Sequence, residues 1–435
     1  MKKILSIMLV VAMCLALVAC ADAPAAGETP TANNNEGNVV VEKTEGPASE
    51  ITITLLSTKP EIVPQLEAMA EAYYKQTGVK LEVYPAEDQG AAILATKYAA
   101  ADPYTIWLLD AADLITYASE YAVDLSDQKW VNETNNEILI DGKVYGFPFC
   151  VEATGLIYNA DAIEAITGKA FNPADYATPD KFKALLDELV AGGITAPVGI
   201  MKEDWCVTNV LRELYLQRDD VNAFIDSLKA GTADVVNDYR FNSLLDTFDV
   251  LMQYNINAAA PMAAEREVLD QYLADGEIAF VHGGNFEWPE LVNFDCTENV
   301  GIMAVPQNME DGSNAKIHNS GGKFIFVDGS EYTSEEQQKA ALDFLNWLVY
   351  DKLGNSYLVD ECSVMAPFTN IDVSNLDPLT RSVKAYLDAN AMTEAYPFFP
   401  GDLYTAVGAI GQKYLAGESD RATLAAELEA YWLAQ

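Results

Sequence analysis

Acidic and aromatic side chains occur together at several places where the sequence predicts a strand end, a loop or a helix start. The residues concerned are Trp107, Asp110, Glu203, Trp205, Asn285, Phe286, Trp288 and Tyr404. A flat aromatic ring can stack on the apolar face of a polyhydroxylated ring, while carboxylate and amide groups bond its hydroxyl rim. The set is therefore typical of a carbohydrate site, although core packing explains any single tryptophan equally well.

One further carboxylate interrupts an apolar stretch. The segment DGKVYGFPFCVEATGLIYN, residues 141–159, contains two strand-like runs with Glu152 between them and no lysine or arginine close to it. Such a carboxylate either faces a cleft, where it accepts hydrogen bonds from a ligand, or lies at the surface or in an ion pair. The residues alone leave both interpretations open.

Motifs of several common enzyme classes are missing from the sequence. His282 and His318 are the two histidines, and there is no HExxH, GxSxG, GxxxxGKS/T or GxGxxG pattern. Histidine-rich metal sites and Ser-His-Asp relays are therefore poorly provided for. A glycosidase needs only two carboxylates, however, and acids with aromatic rings can also enclose an ammonium group. A surface glycosidase and a binder of a cationic solute such as a polyamine remain alternatives, and we predict no cofactor or metal.

The charge balance excludes one class of partner. The 435 residues include 66 acidic and 26 basic ones, which gives a formal net charge of -40. A surface of this kind repels the phosphate backbone of nucleic acids, so we expect no nucleic acid partner. Hydrophobic residues make up 50% of the chain, which is enough to bury a large core.

The N-terminus indicates export. Lys2 and Lys3 precede an apolar stretch, residues 4–18, that is short for a membrane span and typical of a signal peptide. The sequence Leu17-Val18-Ala19-Cys20 resembles the lipobox of bacterial lipoproteins, which implies cleavage after residue 19 and lipidation of Cys20. Residues 21–50 are rich in Ala, Pro, Gly, Asn, Thr and Glu and predict a flexible tether. We therefore expect residues 1–19 to be a signal peptide and residues 20–50 to anchor an extracytoplasmic body to the membrane.

The body from residue 51 onward alternates strand and helix patterns. Residues 51–57, 79–85 and 104–110 read as strands, and residues 60–78 and 111–120 as helices. This order predicts an α/β protein with parallel sheets, and its length of roughly 385 residues exceeds one usual core, so we expect two lobes. Ligands of such sheets bind at the carboxyl ends of strands. The exported body keeps Cys150, Cys206, Cys296 and Cys362, for which the spacing gives no pairing.

Four segments together resemble the solute-binding proteins of carbohydrate ABC transporters, the maltose-binding-protein type. Residues 141–163 resemble the strand pair that crosses between the lobes of that family, and residues 275–288 resemble its segment of strand, glycines and aromatics. Residues 301–307 resemble its second crossing. Residues 320–368 resemble its late glycine pair, long helix and proline-ended loop.

The resemblance implies a two-lobed, periplasmic-binding-protein-like fold of type II, with a hinge between lobes that are each a mostly parallel sheet covered by helices. It assigns residues 51–150 and 306–375 to lobe 1 and residues 151–305 and 376–435 to lobe 2. It further implies that the protein is a monomeric receptor, not an enzyme, which closes around a carbohydrate and then meets the permease subunits of a transporter. The implied ligand contacts are Lys59, Trp107 and Asp110 on the first lobe, Glu152 beside the hinge, and Glu203, Trp205, Asn285, Phe286, Trp288 and Tyr404 on the second.

Overall fold

A computed structural model describes residues 51–86 and 90–435 of the chain. The predicted signal peptide, the lipidation site at Cys20 and the tether up to residue 50 lie outside the described residues. Within the described ranges, no helix has the length and apolar character needed to cross a membrane. The cysteines Cys150, Cys206, Cys296 and Cys362 are all present as free thiols.

The strands and helices alternate through most of the chain. The strands are β1 Thr52–Ser57, β2 Lys80–Pro85, β3 Ile106–Asp110, β4 Leu139–Ile140, β5 Lys143–Val144, β6 Phe147–Pro148, β7 Ala153–Asn159, β8 Val198–Gly199, β9 Phe280–Gly284, β10 Val300–Met303, β11 His318–Asn319 and β12 Lys323–Val327. The helices are α1 Val63–Thr77, α2 Gly90–Ala99, α3 Ala111–Tyr121, α4 Ala160–Thr167, α5 Pro179–Ala191, α6 Asp204–Leu216, α7 Val221–Lys229, α8 Tyr239–Gln253, α9 Arg266–Ala274, α10 Trp288–Leu291, α11 Glu335–Tyr350, α12 Lys352–Ser356, α13 Pro378–Asp388, α14 Leu403–Leu415 and α15 Arg421–Leu433.

Local sequence signals explain where several helices begin and end. Helix α5 begins with a proline in its first turn. Proline is favoured there because the backbone N–H that it lacks would have no intrahelical partner at that position. Ser334 and Gln337 form a reciprocal capping box at the start of α11. Helix α1 ends at Gly78, whose φ of 78° is left-handed and favours glycine.

Most of the strands form two mixed sheets, and β4 and β5 pair as a separate two-stranded sheet. The first has the order β2-β1-β3-β12-β6, and the second has the order β10-β7-β9-β8 with β11 also pairing with β7. Strand β12 is antiparallel to both neighbours in the first sheet, and β7 is antiparallel to β9, β10 and β11 in the second. In each sheet, therefore, the one strand that runs against the others is the strand that arrives directly from the other lobe. Most strands share a direction, as predicted, but most strand pairs in the second sheet are antiparallel.

Each sheet buries its own apolar core between helices. In the first sheet, Leu55 and Ile325 face one core cluster, whereas Leu56 and Phe326 face another, as the twofold alternation of a strand requires. The second sheet likewise separates two clusters, one of which contains Leu156 and the other Ile157. The molecule therefore has the two lobes that its length indicated.

Three segments of chain cross between the lobes. The first joins β6 to β7 through residues 149–152, and the second joins β11 to β12 through residues 320–322. Because β11 pairs with β7, residues 318–319 belong to the second sheet, although the predicted division at residue 306 assigned them to the first lobe. The third lies between residues 376 and 379, which belong to cores of the first and second lobe.

The first two crossing segments approach each other closely at one glycine. Gly322 has a φ of 65°, and a Cβ atom built there would lie 2.0 Å from the carbonyl oxygen of Cys150. Both its conformation and its contact therefore require the absence of a side chain. This close approach brings together two of the three segments that cross between the lobes.

Candidate functional site

Two cavities lie beside these crossing segments, and both are walled by residues from the two lobes. The larger, which we name the arginine cavity, comprises about 520 Å³ of empty space, part of it open to solvent, and is lined by Asp110, Asp113, Arg212, residues 320–322, Tyr396, Phe399 and Tyr404 among others. The smaller, which we name the lysine cavity, comprises about 240 Å³ of such space and is lined by Lys59, Glu61, Cys150, Glu152, Asn285 and Phe286 among others.

A buried ion triad forms one wall of the lysine cavity. The Lys59 Nζ atom lies 2.6 Å from Glu152 Oε1 and 2.7 Å from Glu61 Oε1. Lys59 follows β1 and only 3% of its surface is exposed, whereas Glu152 belongs to the first crossing segment. The Glu152 carboxylate also accepts a hydrogen bond from the Cys150 thiol at 3.3 Å. The ion pair between Lys59 and Glu152 thus ties the first lobe to the crossing segment.

Electrostatic attraction outweighs the effect of burial on the pKa values of Lys59 and Glu61. Burial by itself lowers the pKa of Lys59, but the carboxylates of Glu152 and Glu61 together raise it well above the usual value. Burial by itself raises the pKa of Glu61, yet the Lys59 ammonium outweighs it and the pKa of Glu61 is lowered. The Lys59 ammonium group therefore pairs with two carboxylates. The centroid of the Phe286 ring, in the second lobe, lies 5.9 Å from its nitrogen.

Asn285 holds the crossing segment in place. Its side-chain oxygen accepts a hydrogen bond from the backbone N–H of Ala153 at 3.0 Å. Its side-chain nitrogen donates to the carbonyl oxygen of Val151 at 3.3 Å and to the Thr380 hydroxyl at 3.4 Å. With its amide engaged in this way and only 3% of its surface exposed, Asn285 positions the backbone next to Glu152.

In the arginine cavity, the second lobe presents a guanidinium group. Arg212, on α6, donates from Nη1 to the Tyr404 hydroxyl at 2.7 Å and from Nη1 and Nη2 to the Ser320 carbonyl oxygen at 3.5 and 3.4 Å. Its Cζ atom lies 4.8 Å from the centroid of the Phe399 ring. Arg212 therefore joins α6, the start of α14 and the second crossing segment at one wall.

Carboxylates of the first lobe face the same cavity. Asp110 is the last residue of β3, and its Oδ2 atom lies 2.8 Å from the Nζ atom of Lys323, its register partner on β12. Asp113 lies one turn further on, in α3. Burial, followed by repulsion from Asp110, raises the pKa of Asp113 to about 7. The first lobe thus contributes one paired carboxylate and one carboxyl group that gains a proton near neutral pH.

An aromatic segment between α13 and α14 covers the cavity. The ring centroids of Tyr396 and Phe399 lie 4.8 Å apart in an edge-to-face arrangement. Phe398, between them, has 53% of its surface exposed. The residues YPFFPG, 396–401, were absent from the predicted site. Their signal in the sequence is a cluster of aromatics between two prolines in a region without a helix or strand pattern.

Trp107 does not lie in either cavity. It is 0% exposed and packs in the first lobe with the rings of Tyr98 and Phe326, at centroid distances of 5.8 and 5.9 Å. The prediction that it contacts ligand rests on its position near a strand end and on the family resemblance. Strand β3 extends three residues further to Asp110, so Trp107 lies inside the sheet and in the core.

Glu203, Trp205 and Trp288 also lie outside both cavities. Trp205 is half-buried at the start of α6, with its ring centroid 5.9 Å from that of Phe286 and 5.5 Å from Cζ of Arg266. Trp288, in α10, packs against the same cluster of buried apolar residues as Trp205 does. The ten predicted residues therefore fall into three groups. The lysine cavity contains Lys59, Glu152, Asn285 and Phe286, and the arginine cavity contains Asp110 and Tyr404. Neither cavity is lined by Trp107, Glu203, Trp205 or Trp288.

The chain belongs to the bacterial extracellular solute-binding protein family, since residues 68–392 match the sequence model of that family. No curated protein matches the chain. Nowhere in the described ranges do three His, Cys, Asp or Glu side chains meet in a way that could hold a metal ion.

Solved structures of similar fold include three sugar-binding proteins. The solute-binding protein RafE in complex with raffinose is 17% identical, with a TM-score of 0.74 over 88% of this chain and 99% of that one. A sugar transporter protein of Bacillus licheniformis in complex with stachyose is 20% identical, with a TM-score of 0.68 over 88% and 99% of the two chains. A binding protein of Bifidobacterium animalis subsp. lactis in complex with mannobiose is 17% identical, with a TM-score of 0.64 over 88% and 94%. Together with the family match, these similarities confirm the predicted solute-binding family and its two-lobed fold.

Proposed function

We propose that this protein is the extracytoplasmic substrate-binding lipoprotein of an ABC importer. It captures a sugar or oligosaccharide between its lobes and delivers it to the permease subunits. The lipobox-like sequence ending in Cys20 supports a lipid anchor in the cell membrane. The receptor acts as a monomer and binds its ligand without chemical change or cofactor.

The arginine cavity is the observation that carries this proposal. It lies between the two lobes, beside the segments that cross from one to the other. It combines aromatic rings, at Tyr396 and Phe399, with hydrogen-bonding groups at Asp110 and Arg212. Rings and charged groups side by side suit a guest with apolar faces and many hydroxyl groups. Proteins of the same fold hold raffinose, stachyose and mannobiose.

Ligand capture follows from the two-lobed arrangement. A ligand shifts the lobes toward closure only if it binds the closed form more tightly than the open one. A sugar in the arginine cavity meets Asp110 on one lobe and Tyr404 on the other, so it gains both sets of contacts only when the lobes are closed. The crossing segments next to the cavity act as the hinge.

A thermal-shift screen of the mature chain tests the proposed function. The panel contains neutral and acidic mono- and oligosaccharides, together with polyamines. A bound sugar stabilises the folded protein by mass action and so raises its melting temperature. The free energy of unfolding increases by about 2.7 kcal/mol at a ligand concentration of 100 times the dissociation constant. A response to polyamines with silence toward sugars would contradict the proposal, and so would steady release of reducing ends from an oligosaccharide.

Replacing Tyr396 by alanine is expected to weaken sugar binding by roughly 1–2 kcal/mol, because a ring that covers the cavity is lost. Isothermal titration with the sugar selected by the screen measures the change. Tyr74→Ala is the matched control, since Tyr74 is 48% exposed on α1 of the first lobe and lines neither cavity. Equal affinity in the Tyr396→Ala and Tyr74→Ala proteins would remove Tyr396 from the site.

A further inference from the structure

The charge of Arg212 has no carboxylate partner. Only 3% of the residue is exposed, and its hydrogen bonds go to the uncharged oxygen atoms of Asn209, Ser320 and Tyr404. Among the described residues, its Nε–H finds no hydrogen-bond acceptor and no carboxylate forms an ion pair with it. Three other arginines of the second lobe differ, since Arg218, Arg240 and Arg266 each form an ion pair with a carboxylate.

A buried, unpaired guanidinium is costly. Charged groups that leave water are normally paired, because neutral hydrogen-bond acceptors replace only part of the lost hydration. Arg212 bears this cost at the wall of an interlobe cavity, where a guest molecule can supply the missing charge. A guanidinium group is well suited to bind a carboxylate, since its planar arrangement of N–H donors matches both carboxylate oxygens.

Nearby acids of the chain do not neutralise Arg212. Asp110, on the opposite wall, is already paired with Lys323. Asp113 has its pKa raised to about 7 by burial and by Asp110, so near neutral pH much of it is uncharged. Glu213 follows Arg212 directly in α6, but burial raises the pKa of this carboxyl to about 8. Near neutral pH, the charge of Arg212 is therefore not balanced by the acidic side chains around the arginine cavity.

We propose that the ligand is an acidic carbohydrate, whose carboxylate pairs with the Arg212 guanidinium in the arginine cavity. The remaining sugar surface then lies against Tyr396 and Phe399, and hydroxyl groups reach Asp110. This inference rests on the proposed function, because it names the class of sugar that the same cavity accepts. The net charge of -40 opposes long-range attraction of an anion, but salt screens that repulsion beyond about 10 Å at 0.1 M, and the local pair decides affinity.

Matched pairs of sugars test the inference on the unaltered protein. Isothermal titration compares D-galacturonate with D-galactose and D-glucuronate with D-glucose, together with the corresponding di- and trisaccharides. Glucose 6-phosphate and glucose 6-sulfate are included to distinguish a carboxylate from other anions. A charge-assisted pair is expected to make the uronate at least roughly tenfold tighter than its neutral parent.

Variants at Arg212 connect that preference to the residue. Arg212→Gln removes the charge and is expected to reduce the ratio of acidic to neutral affinity to about one. Arg212→Lys keeps the charge without the planar fork and is expected to retain part of the preference. The control is Arg218→Gln, which removes the same charge close to α6 but outside both cavities, and which is expected to leave the ratio unchanged. Circular dichroism confirms that each variant is folded.

The outcomes separate this inference from the function on which it rests. Neutral sugars that bind as tightly as their uronates overturn the inference and leave a sugar receptor. A clear preference for the phosphate or sulfate ester over the uronate overturns the assignment to a carboxylate. Silence toward all sugars overturns both proposals. The comparison on the unaltered chain decides among these results even if Arg212→Gln does not fold.

Discussion

Replacing Lys59 by methionine is expected to lower the free energy of unfolding by about 3–5 kcal/mol. The substitution keeps the unbranched shape and most of the length of the side chain but leaves the carboxylates of Glu61 and Glu152 buried without their common cation. Urea unfolding of both proteins at pH 7 measures the difference. Lys75→Met is the matched control, because its ion pair with Glu71 joins side chains that are 74% and 75% exposed, and such pairs contribute about 0–1 kcal/mol.

The pH dependence of this difference identifies its cause. In the unaltered protein, Glu61 has a lowered pKa, so its contribution to stability is present above the unfolded pKa and is lost as the pH falls through the folded pKa. Without Lys59, Glu61 loses the cation that lowers its pKa, and its burial then favours the protonated form. The destabilisation of Lys59→Met is therefore expected to shrink as the pH is lowered from 7 toward the ordinary range of a glutamate. A difference that stays constant with pH would mean that lost packing, and not charge, is responsible.

Replacing Trp107 by alanine is expected to lower the free energy of unfolding by about 3–5 kcal/mol and to leave sugar affinity unchanged. Trp107 is fully buried between Tyr98 and Phe326, so its removal leaves a large void in the first lobe. Urea unfolding and isothermal titration measure the two quantities. Trp205→Ala is the comparison, because the same substitution at a half-buried residue is expected to cost less stability.

The affinity measurement decides between two interpretations of Trp107. If the alanine variant loses sugar binding while unfolding with nearly unaltered stability, the side chain belongs to the cleft and not to the core. Trp107→Phe provides a milder change should the alanine variant be too unstable to titrate. A loss of stability with retained affinity supports the packing described above.

Much of the fold could be predicted because it depends on local patterns. The helix patterns of residues 60–78 and 111–120 match α1 and α3 to within a few residues. The resemblance in residues 141–163 identified the first crossing segment. Strand pairing was harder to predict, because the reversed direction of β7 depends on its arrival from the other lobe, which no local pattern records.

The candidate site could be predicted only in part. Residues 59, 110, 152 and 404 were accessible to sequence reasoning because they are polar or aromatic at the ends of elements or between apolar runs. Arg212 was not, since it lies within a largely buried helix whose pattern indicates core packing. Trp107 shows the opposite limit, because proximity to a strand end does not determine which face of the sheet a side chain occupies.

A crystal structure of the mature chain with the tightest sugar of the screen tests the central claim most directly. The sugar is expected to lie in the arginine cavity and to contact Asp110 on the first lobe and Arg212 and Tyr404 on the second. A sugar bound to one lobe alone, or at a surface away from the crossing segments, would contradict it.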